Sequence, residues 1–456
     1  MKILQEEILK NIPPEYDKEM FLHGDCKDWS VVVIDDDPTG CQTSSDVPVL
    51  FTWDTSLIID LFRKHCHVFF ILTNTRSMSA TQAAEVTREV VTSIRQAAEK
   101  TARKYVIISR SDSTLRGHYP TEPEAIDACY GTDSMHCIIP AFFQGGRVTY
   151  NDVHYVKENE WFVPAGETPF AEDPSFGFTS SNLKDYVAEK YRQTIKPEDV
   201  LSFSIDDLRS KGPDYVRRVL LASSSKVCVV NALVQSDLDV FAAGAWEAVI
   251  SGKSLIFRTA ASFINSFGCL PLKELIDNNA LRKDVSKGGL VIVGSHVPKS
   301  TNQLRKLIDH STAIPLELHV EQLFTEKRLS IIASIVSRIN QLIASNSNVV
   351  LYTSRKLFTA DEKDGGLAVA QAVSDALVEI IRKIKHEPSF IITKGGITSH
   401  DIASKGLEMK SATVIGQALP GVPVLVPEEN PGMKYIIFPG NVGEEEDLLK
   451  LYNMVK

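Results

Sequence analysis

Short apolar runs rich in Val and Ile recur along this chain with helix-patterned stretches between them, and that alternation leaves few folds open. In the first half the runs are "VVVID" from Val31, "HVFFILTN" from His67, "YVIISR" from Tyr105, "HCIIPA" from His136, "KVCVVNA" from Lys226 and "SLIFRTA" from Ser254. Each is short and carries β-branched residues, so each predicts a strand. Between the second and third lies "ATQAAEVTREVVTSIRQAAEKTARK", whose apolar positions recur every three or four residues, as on one face of a helix. A second series starts near residue 290: "GLVIVGS", "AIPLEL", "NVVLYTS", "SFIITKGG", "VPVLVP" and "KYIIFPGNVG", with helical stretches such as "EKRLSIIASIVSRINQLIAS" among them. Strands alternating with helices predict an α/β fold with mostly parallel sheets.

A chain of 456 residues is too long for one ordinary domain. The stretch 266–288 lacks a strand pattern and runs into Gly288-Gly289. The sequence therefore predicts a first domain over residues 1–265, a linker over 266–288 and a second domain over 289–456, the two facing a shared cleft. Residues 151–180, rich in Pro, Gly, Glu and aromatics, predict a long ordered excursion from the first domain.

The balance of 43% hydrophobic to 23% charged residues is that of a globular protein, and the net charge of −9 without a basic run argues against nucleic acid or an anionic membrane as partner. No apolar run reaches the roughly 20 residues of a membrane span. The start, "MKILQEEILK", has glutamates where a signal peptide has its apolar stretch, so a cytoplasmic location is expected. Cys26, Cys41, Cys66, Cys129, Cys137, Cys228 and Cys269 are scattered and form no C-x-x-C pair; thiols are expected rather than disulfides, and no zinc site. His65 and His67 flank Cys66, but the nearby Arg63 and Lys64 suggest a polar helix end.

In open α/β sheets the chemistry lies beyond the carboxyl ends of the strands. Here the first strand ends in "DDDPTG", the second in "TNTRS" with Arg76, and the third in "SRSDSTLRG" with Arg110, Ser111, Asp112, Ser113 and Arg116. Taken singly these are turn and cap residues, since "DPTG" is a good turn and Ser113 or Thr114 a good cap. Three such tips on adjacent parallel strands gather carboxylates, guanidinium groups and hydroxyls, a set suited to a small polyhydroxylated anion. The second domain carries strand-to-helix turns of another kind: Gly294-Ser295; Gly395-Gly396-Ile397-Thr398; and Pro439-Gly440-Asn441 followed by Gly443. Glycines there let backbone N–H groups approach phosphate oxygens. None matches the Walker or dinucleotide pattern.

Two further readings fit parts of the chain. Asp35-x-Asp37-x-Thr39 after a strand has the spacing of haloacid-dehalogenase-like phosphatases, in which Asp35 would be a nucleophile, with Thr73 and the Asp206-Asp207 pair as later motifs. Against it, Pro38 removes a backbone donor from the phosphate-facing loop, and the glycine turns are left without a role. A non-catalytic sugar-acid-binding protein shares the two-domain outline.

The stretches "DDDPTGCQT", "LTNTRS", "SDSTLRGH", "IIPAFFQGGRVTYNDVHYV", "VVNA", "VIVGSHV", "TKGGITS" and "PGNVG" run in order from about residue 30 to 447. Together they resemble the four-carbon acid sugar kinase family. The resemblance implies a sugar-acid-binding N-terminal domain, an ATP-binding C-terminal domain, and phosphorylation of aldonates such as threonate, erythronate or 3-oxo-tetronate. It implies substrate contacts from Asp36, Arg76 and Arg110 to Ser113, and nucleotide contacts from Ser295, Gly395 to Thr398, and Gly440. Pro38, Ile397 and the longer 151–180 segment depart from the family pattern.

The expected chemistry is ATP-dependent transfer to a hydroxyl of a small sugar acid. Arg76, with Arg110 or Arg116, is expected to hold the carboxylate, and Asp36 or Asp112 to take the hydroxyl proton. Asp36 is favoured, because Asp35 and Asp37 should raise its proton affinity and strand alternation should turn it away from both. ATP and Mg²⁺ are the expected cofactors, the magnesium having few protein ligands and with the aspartates facing it on one side. Closure of the two domains should exclude water. The partners expected are the sugar acid and ATP, with a homodimer as the assembly.

Overall fold

The computed structural model describes residues 2–9, 12–16, 25–37, 39–131, 133–271, 273–277, 281, 287–355, 365–440 and 442–456. In chain order its strands are β1 (Ile3–Leu4), β2 (Trp29–Asp35), β3 (Val47–Leu50), β4 (Val68–Leu72), β5 (Lys104–Arg110), β6 (Met135–Ile139), β7 (Arg147–Tyr150), β8 (Val153–Glu158), β9 (Trp161–Pro164), β10 (Leu201–Phe203), β11 (Val227–Val230), β12 (Leu255–Thr259), β13 (Leu290–Val293), β14 (Ile314–Leu318), β15 (Val349–Thr353), β16 (Phe390–Lys394), β17 (Ser411–Leu419), β18 (Val422–Pro427) and β19 (Lys434–Phe438). The chain divides into two compact units. One is Met1–Gly40 with Trp53–Leu272, the other Cys41–Thr52 with Lys273–Lys456.

In the first unit a parallel sheet runs in the order β10-β11-β6-β12-β5-β2-β4. Helices cover a parallel sheet on both faces, so its inner strands are apolar throughout rather than alternating. Val31, Val32 and Val33 of β2 are fully buried, as are Phe69, Phe70, Ile71 and Leu72 of β4. The predicted helix forms over Ala80–Thr101. Ser79 and Gln82 close a capping box at its start, and Val90, Val91, Ile94 and Ala97 make its buried stripe. Residues 151–180 are ordered, as expected. Together with β1 and β7, β8 and β9 form a four-stranded antiparallel sheet, and the 3-10 turns Ala165–Glu167 and Pro169–Glu172 follow. Ala165, Ala171 and Phe178 pack with Leu183, Tyr186 and Val187.

The second unit has the strand order β3-β17-β18-β19-β16-β13-β15-β14. It is parallel from β19 to β14 and antiparallel among β3, β17, β18 and β19. Its core joins Val291, Val293, Ile392, Ile436 and Phe438 of the strands to Leu448, Leu451 and Tyr452 of the last helix, Asp447–Val455.

The units differ from the predicted division in two respects. β3 lies early in the sequence yet pairs with β17 of the second unit; Pro48 interrupts its apolar run, which hid it. Part of the predicted linker also belongs to the second unit: Leu281 is buried in that core, and the Ile276 amide donates to the Gln417 carbonyl at 2.8 Å. Among the described residues no helix is long and apolar enough to cross a membrane, and the cysteines form no disulfide.

Candidate functional site

Adjacent strands β4, β2 and β5 deliver the polar tips of the first unit to one edge. Backbone hydrogen bonds lace them together beyond the strands: Thr73 N to Asp35 O (2.9 Å), Asp36 N to Arg110 O (3.2 Å) and Arg76 N to Asp36 O (3.2 Å). The triple aspartate is therefore held rigidly, and its charge is met by arginines from the neighbouring tips. Arg76 grips two of the three, Nη2 to Asp36 Oδ1 at 2.5 Å and Nη1 to Asp37 Oδ2 at 2.7 Å, with Asp112 Oδ1 at 3.9 Å. Arg110 Nη1 pairs with Asp35 Oδ1 at 3.0 Å. Arg116 Nε pairs with Asp112 Oδ2 at 2.8 Å.

These contacts correct three expectations. Alternation does not turn Asp36 away from Asp37, because β2 ends at Asp35 and the turn that follows brings both carboxylates onto one guanidinium. Arg110 is buried and pairs with Asp35 through Nη1, so it braces the aspartate turn, while its Nε has no hydrogen-bond partner. The charges of Asp35, Asp36 and Asp37 meet Arg110 and Arg76 rather than an open face. Pro38 lies outside the described residues. The turn reading also holds in part, since Thr39 donates to Asp37 Oδ1 from its amide at 2.8 Å and from its hydroxyl at 2.7 Å.

The affinity of Asp35 for a proton is raised. Burial pushes it up, to about 7, against the pull of Arg110. Its Oδ2 accepts no hydrogen bond and lies where a Cβ on Gly40 would sit, 1.6 Å away, so only glycine lets the turn close over it. Asp37 is held below its ordinary value: burial opposes this, but Arg76 and Arg110 outweigh it. Asp112 behaves likewise under Arg76 and Arg116 and stays a weak base.

Asp36 is buried, and its Oδ2 accepts from Ser111 Oγ at 2.5 Å. Ser111 in turn accepts from Arg258 Nη2 at 2.7 Å. The backbone of Gly117, at φ +125°, packs against this junction; a Cβ there would stand 2.5 Å from Ser111 Oγ and 2.8 Å from Asp36 Oδ2. Ser111, Asp112, Arg116, Tyr119, Arg258 and Thr259 line a small pocket beside it. Ser113 is buried next to it, its carbonyl accepting from His154 Nε2 at 2.8 Å.

Arg258 and Glu122 were missed in the sequence. They pair at 2.7 Å, and Arg258 Nη2 lies 3.7 Å from Asp36. An arginine inside the otherwise apolar "SLIFRTA" was the available signal; nothing marked Glu122, a helix first-turn residue. The 151–180 excursion also reaches the site. The Phe170 ring lies under the guanidinium groups of Arg116 (5.0 Å) and Arg147 (5.9 Å), and Asp173 is 3.7 Å from Arg116.

In the second unit the parallel neighbours β19, β16, β13 and β15 bring the glycine turns together. A Cβ on Gly294 would meet Thr398 Oγ1 at 2.4 Å, one on Gly395 would meet Ser295 Cβ at 3.1 Å, and one on Gly440 would meet Ser295 Oγ at 3.2 Å. Gly395 also has φ +115°. Three predicted turns thus close around Ser295 and Thr398, and Ser300 Oγ donates to the Gly440 carbonyl at 3.1 Å and lies 3.1 Å from Ser295 Oγ. The absence of side chains at these three glycines is what lets the turns approach Ser295 and Thr398 so closely. Gly396 opens the helix Gly396–Asp401, and Ile397 points out at 55% exposure. Asn441 lies outside the described residues.

Lys394 was not singled out in the sequence. It is buried at the end of β16, donates from Nζ to the Pro439 carbonyl at 2.6 Å and lies 3.9 Å from the Phe438 ring centre. Burial, then Lys299, lowers it to about 7. Arg355, after β15, donates to the Ser295 carbonyl at 2.6 Å.

A model of a sugar-binding N-terminal domain matches residues 31–267, and a model of a nucleotide-binding C-terminal domain matches residues 290–448. A D-erythronate kinase of Heliobacterium modesticaldum is 24% identical over 60% of this chain and 60% of its own length. A D-threonate kinase of Bordetella bronchiseptica is 32% identical over 33% of this chain and 37% of its own. The chain thus aligns with three fifths or less of these curated relatives. Solved structures from Haemophilus influenzae (TM-score 0.63, 19% identity, 93% of this chain and 100% of that one) and Salmonella typhimurium LT2 (TM-score 0.69, 17% identity, 92% and 98%) share the fold. Two domain models matched in order over most of the length decide the matter: the chain belongs to the four-carbon acid sugar kinase family.

Proposed function

We propose that the protein is an ATP-dependent kinase that phosphorylates a hydroxyl of a small, four-carbon sugar acid such as threonate, erythronate or 3-oxo-tetronate. The observation that carries this reading is the strand-tip cluster in which Asp36, Arg76, Ser111, Asp112 and Arg116 converge, in the unit matched by a sugar-binding model. The names of the two curated relatives support the substrate class.

The geometry suggests a division of roles. Arg110 and Arg258 are buried beside Asp35 and Glu122, so the ligand carboxylate is assigned to the more exposed Arg116 and Arg76, whose side chains are 27% and 18% exposed. Asp112 and Ser113 orient hydroxyls. The acceptor hydroxyl passes its proton to Ser111, which lines the pocket, and Ser111 passes its own to Asp36. In the second unit Ser295, Gly395 to Thr398 and Gly440 hold the ATP phosphates, which Mg²⁺ neutralises when bound. Lys394 positions the Pro439–Gly440 turn from below.

A phosphatase finds less support. Asp35 is fully buried, and Asp206 and Asp207 start the helix after β10, five strands from β2 in the sheet, where Asp207 pairs with Lys211 at 2.5 Å. A coupled assay of ADP release across C4 to C6 aldonates and oxo-aldonates tests the proposal. ADP formation that depends on one of these acids is expected; its absence with all of them overturns the reading.

A further inference from the structure

The first unit gathers three metal-ligand side chains that are far apart in sequence. Cys26, His67 and Cys269 place their ligand atoms within 4.8 Å of one another. Cys26 lies in the turn Asp25–Asp28 that leads into β2, His67 directly precedes β4, and Cys269 follows the helix Ala261–Phe267. The cluster therefore stands at the start of β2 and β4, the sheet edge opposite the Asp36 tips. We propose that these residues bind one zinc ion that acts as a structural clasp.

The donor set is that of a borderline-soft ion, two sulfurs and an imidazole nitrogen. Ligand atoms around a tetrahedral zinc stand roughly 3.7 Å apart, so small side-chain rotations close the site. The imidazole is already oriented. His67 Nδ1 is 3.0 Å from the Trp29 carbonyl, which can only accept, so the proton is on Nδ1 and the buried Nε2 is the ring nitrogen that serves as ligand. The ring stacks on Trp246 at 6.4 Å, and Trp246 stacks on Phe267 at 4.2 Å, two residues before Cys269. Cys26 is buried and Cys269 exposed, so water completes the fourth position from the solvent side. Binding converts both thiols to thiolates and releases their protons to solvent. The clasp ties the chain entering β2 to the end of the first unit, and closing so long a loop is where a cross-link gains most. The inference is independent of the kinase reading.

The test uses the full, untagged chain purified anaerobically with reductant. Elemental analysis after gel filtration with added Zn²⁺ is expected to give one zinc per chain, and Co²⁺ in its place should give a thiolate charge-transfer band with tetrahedral ligand-field absorption. Cys269→Ala, an exposed position, should lose both signals, while Cys66→Ser keeps them. Chelation should lower the urea midpoint of the wild-type chain but not that of Cys269→Ala. Absence of bound zinc in the folded wild-type chain, or equal zinc content in Cys269→Ala, overturns the proposal.

Discussion

Asp36→Asn separates the charge of the carboxylate from its shape. In the native chain Asp36 Oδ1 accepts from Arg76 Nη2 at 2.5 Å and Oδ2 from Ser111 Oγ at 2.5 Å. Asparagine can keep its oxygen on Arg76 and turn its amide to Ser111. Ser111 then accepts from residue 36 and donates to the Arg116 carbonyl, 3.0 Å away. Every hydrogen bond is refilled, and the loss is confined to one negative charge beside Arg76 and Arg258. Replacing a charge-assisted bond at such a place costs about 1.5–3 kcal/mol, which a domain of ordinary stability survives. The chemistry suffers more, since Ser111 now points its proton away from residue 36 and the terminal acceptor is gone. Turnover is expected to fall by roughly 10² to 10⁴. The assay is ADP release at saturating ATP and aldonate, with melting curves and an ATP titration on the same preparation. A folded variant with wild-type turnover would refute the proton route; equal losses of ATP affinity and turnover would refute the confinement of the effect to the first unit.

Four other outcomes are expected. Gly395→Val should weaken ATP binding in calorimetry and leave aldonate binding intact, because φ +115° and a contact of 3.1 Å to Ser295 leave no room for a branched Cβ; unchanged ATP affinity would place the phosphates elsewhere. Lys394→Met removes the donor beneath Pro439 and should raise the KM for ATP more than it lowers kcat; the reverse pattern would give Lys394 a role in the chemistry. Asp35, raised to about 7 when folded, holds its proton more tightly than in the unfolded chain, so its contribution to stability is full below an ordinary carboxylate pKa and is lost as pH rises through about 7. Urea midpoints between pH 4 and 8 should show this decline in the wild-type chain and a flatter profile in Asp35→Asn, and identical profiles would remove Asp35 as its source. Acid-quenched reactions should show no phosphate on the peptide containing Asp35, as direct transfer requires; a phospho-Asp35 would restore the phosphatase reading.

The order of strands and helices was legible because parallel strands buried on both faces must be apolar throughout, as "VVVID" and "HVFFILTN" are. The polar tips were legible too, since they directly follow such strands, and the structure gathers those of β2, β4 and β5 at one edge. The three glycine turns read in the same way, and the structure brings all of them to Ser295. What the sequence could not assign was partnership. Which arginine meets which aspartate depends on side-chain direction beyond the end of β2, where the period of two no longer holds, and so Asp36 and Asp37 share Arg76 while Arg110 goes to Asp35. Arg258 and Glu122 needed the tertiary fold because each is unremarked in its own element and gains meaning only from its partner. β3 escaped for a related reason: its identity as a strand comes from pairing with β17, more than 360 residues later, and not from a local pattern that Pro48 interrupts. Local periodicity fixes what an element is, because burial acts on each residue alone. Pairwise contacts between distant residues are decided only when packing chooses which faces meet.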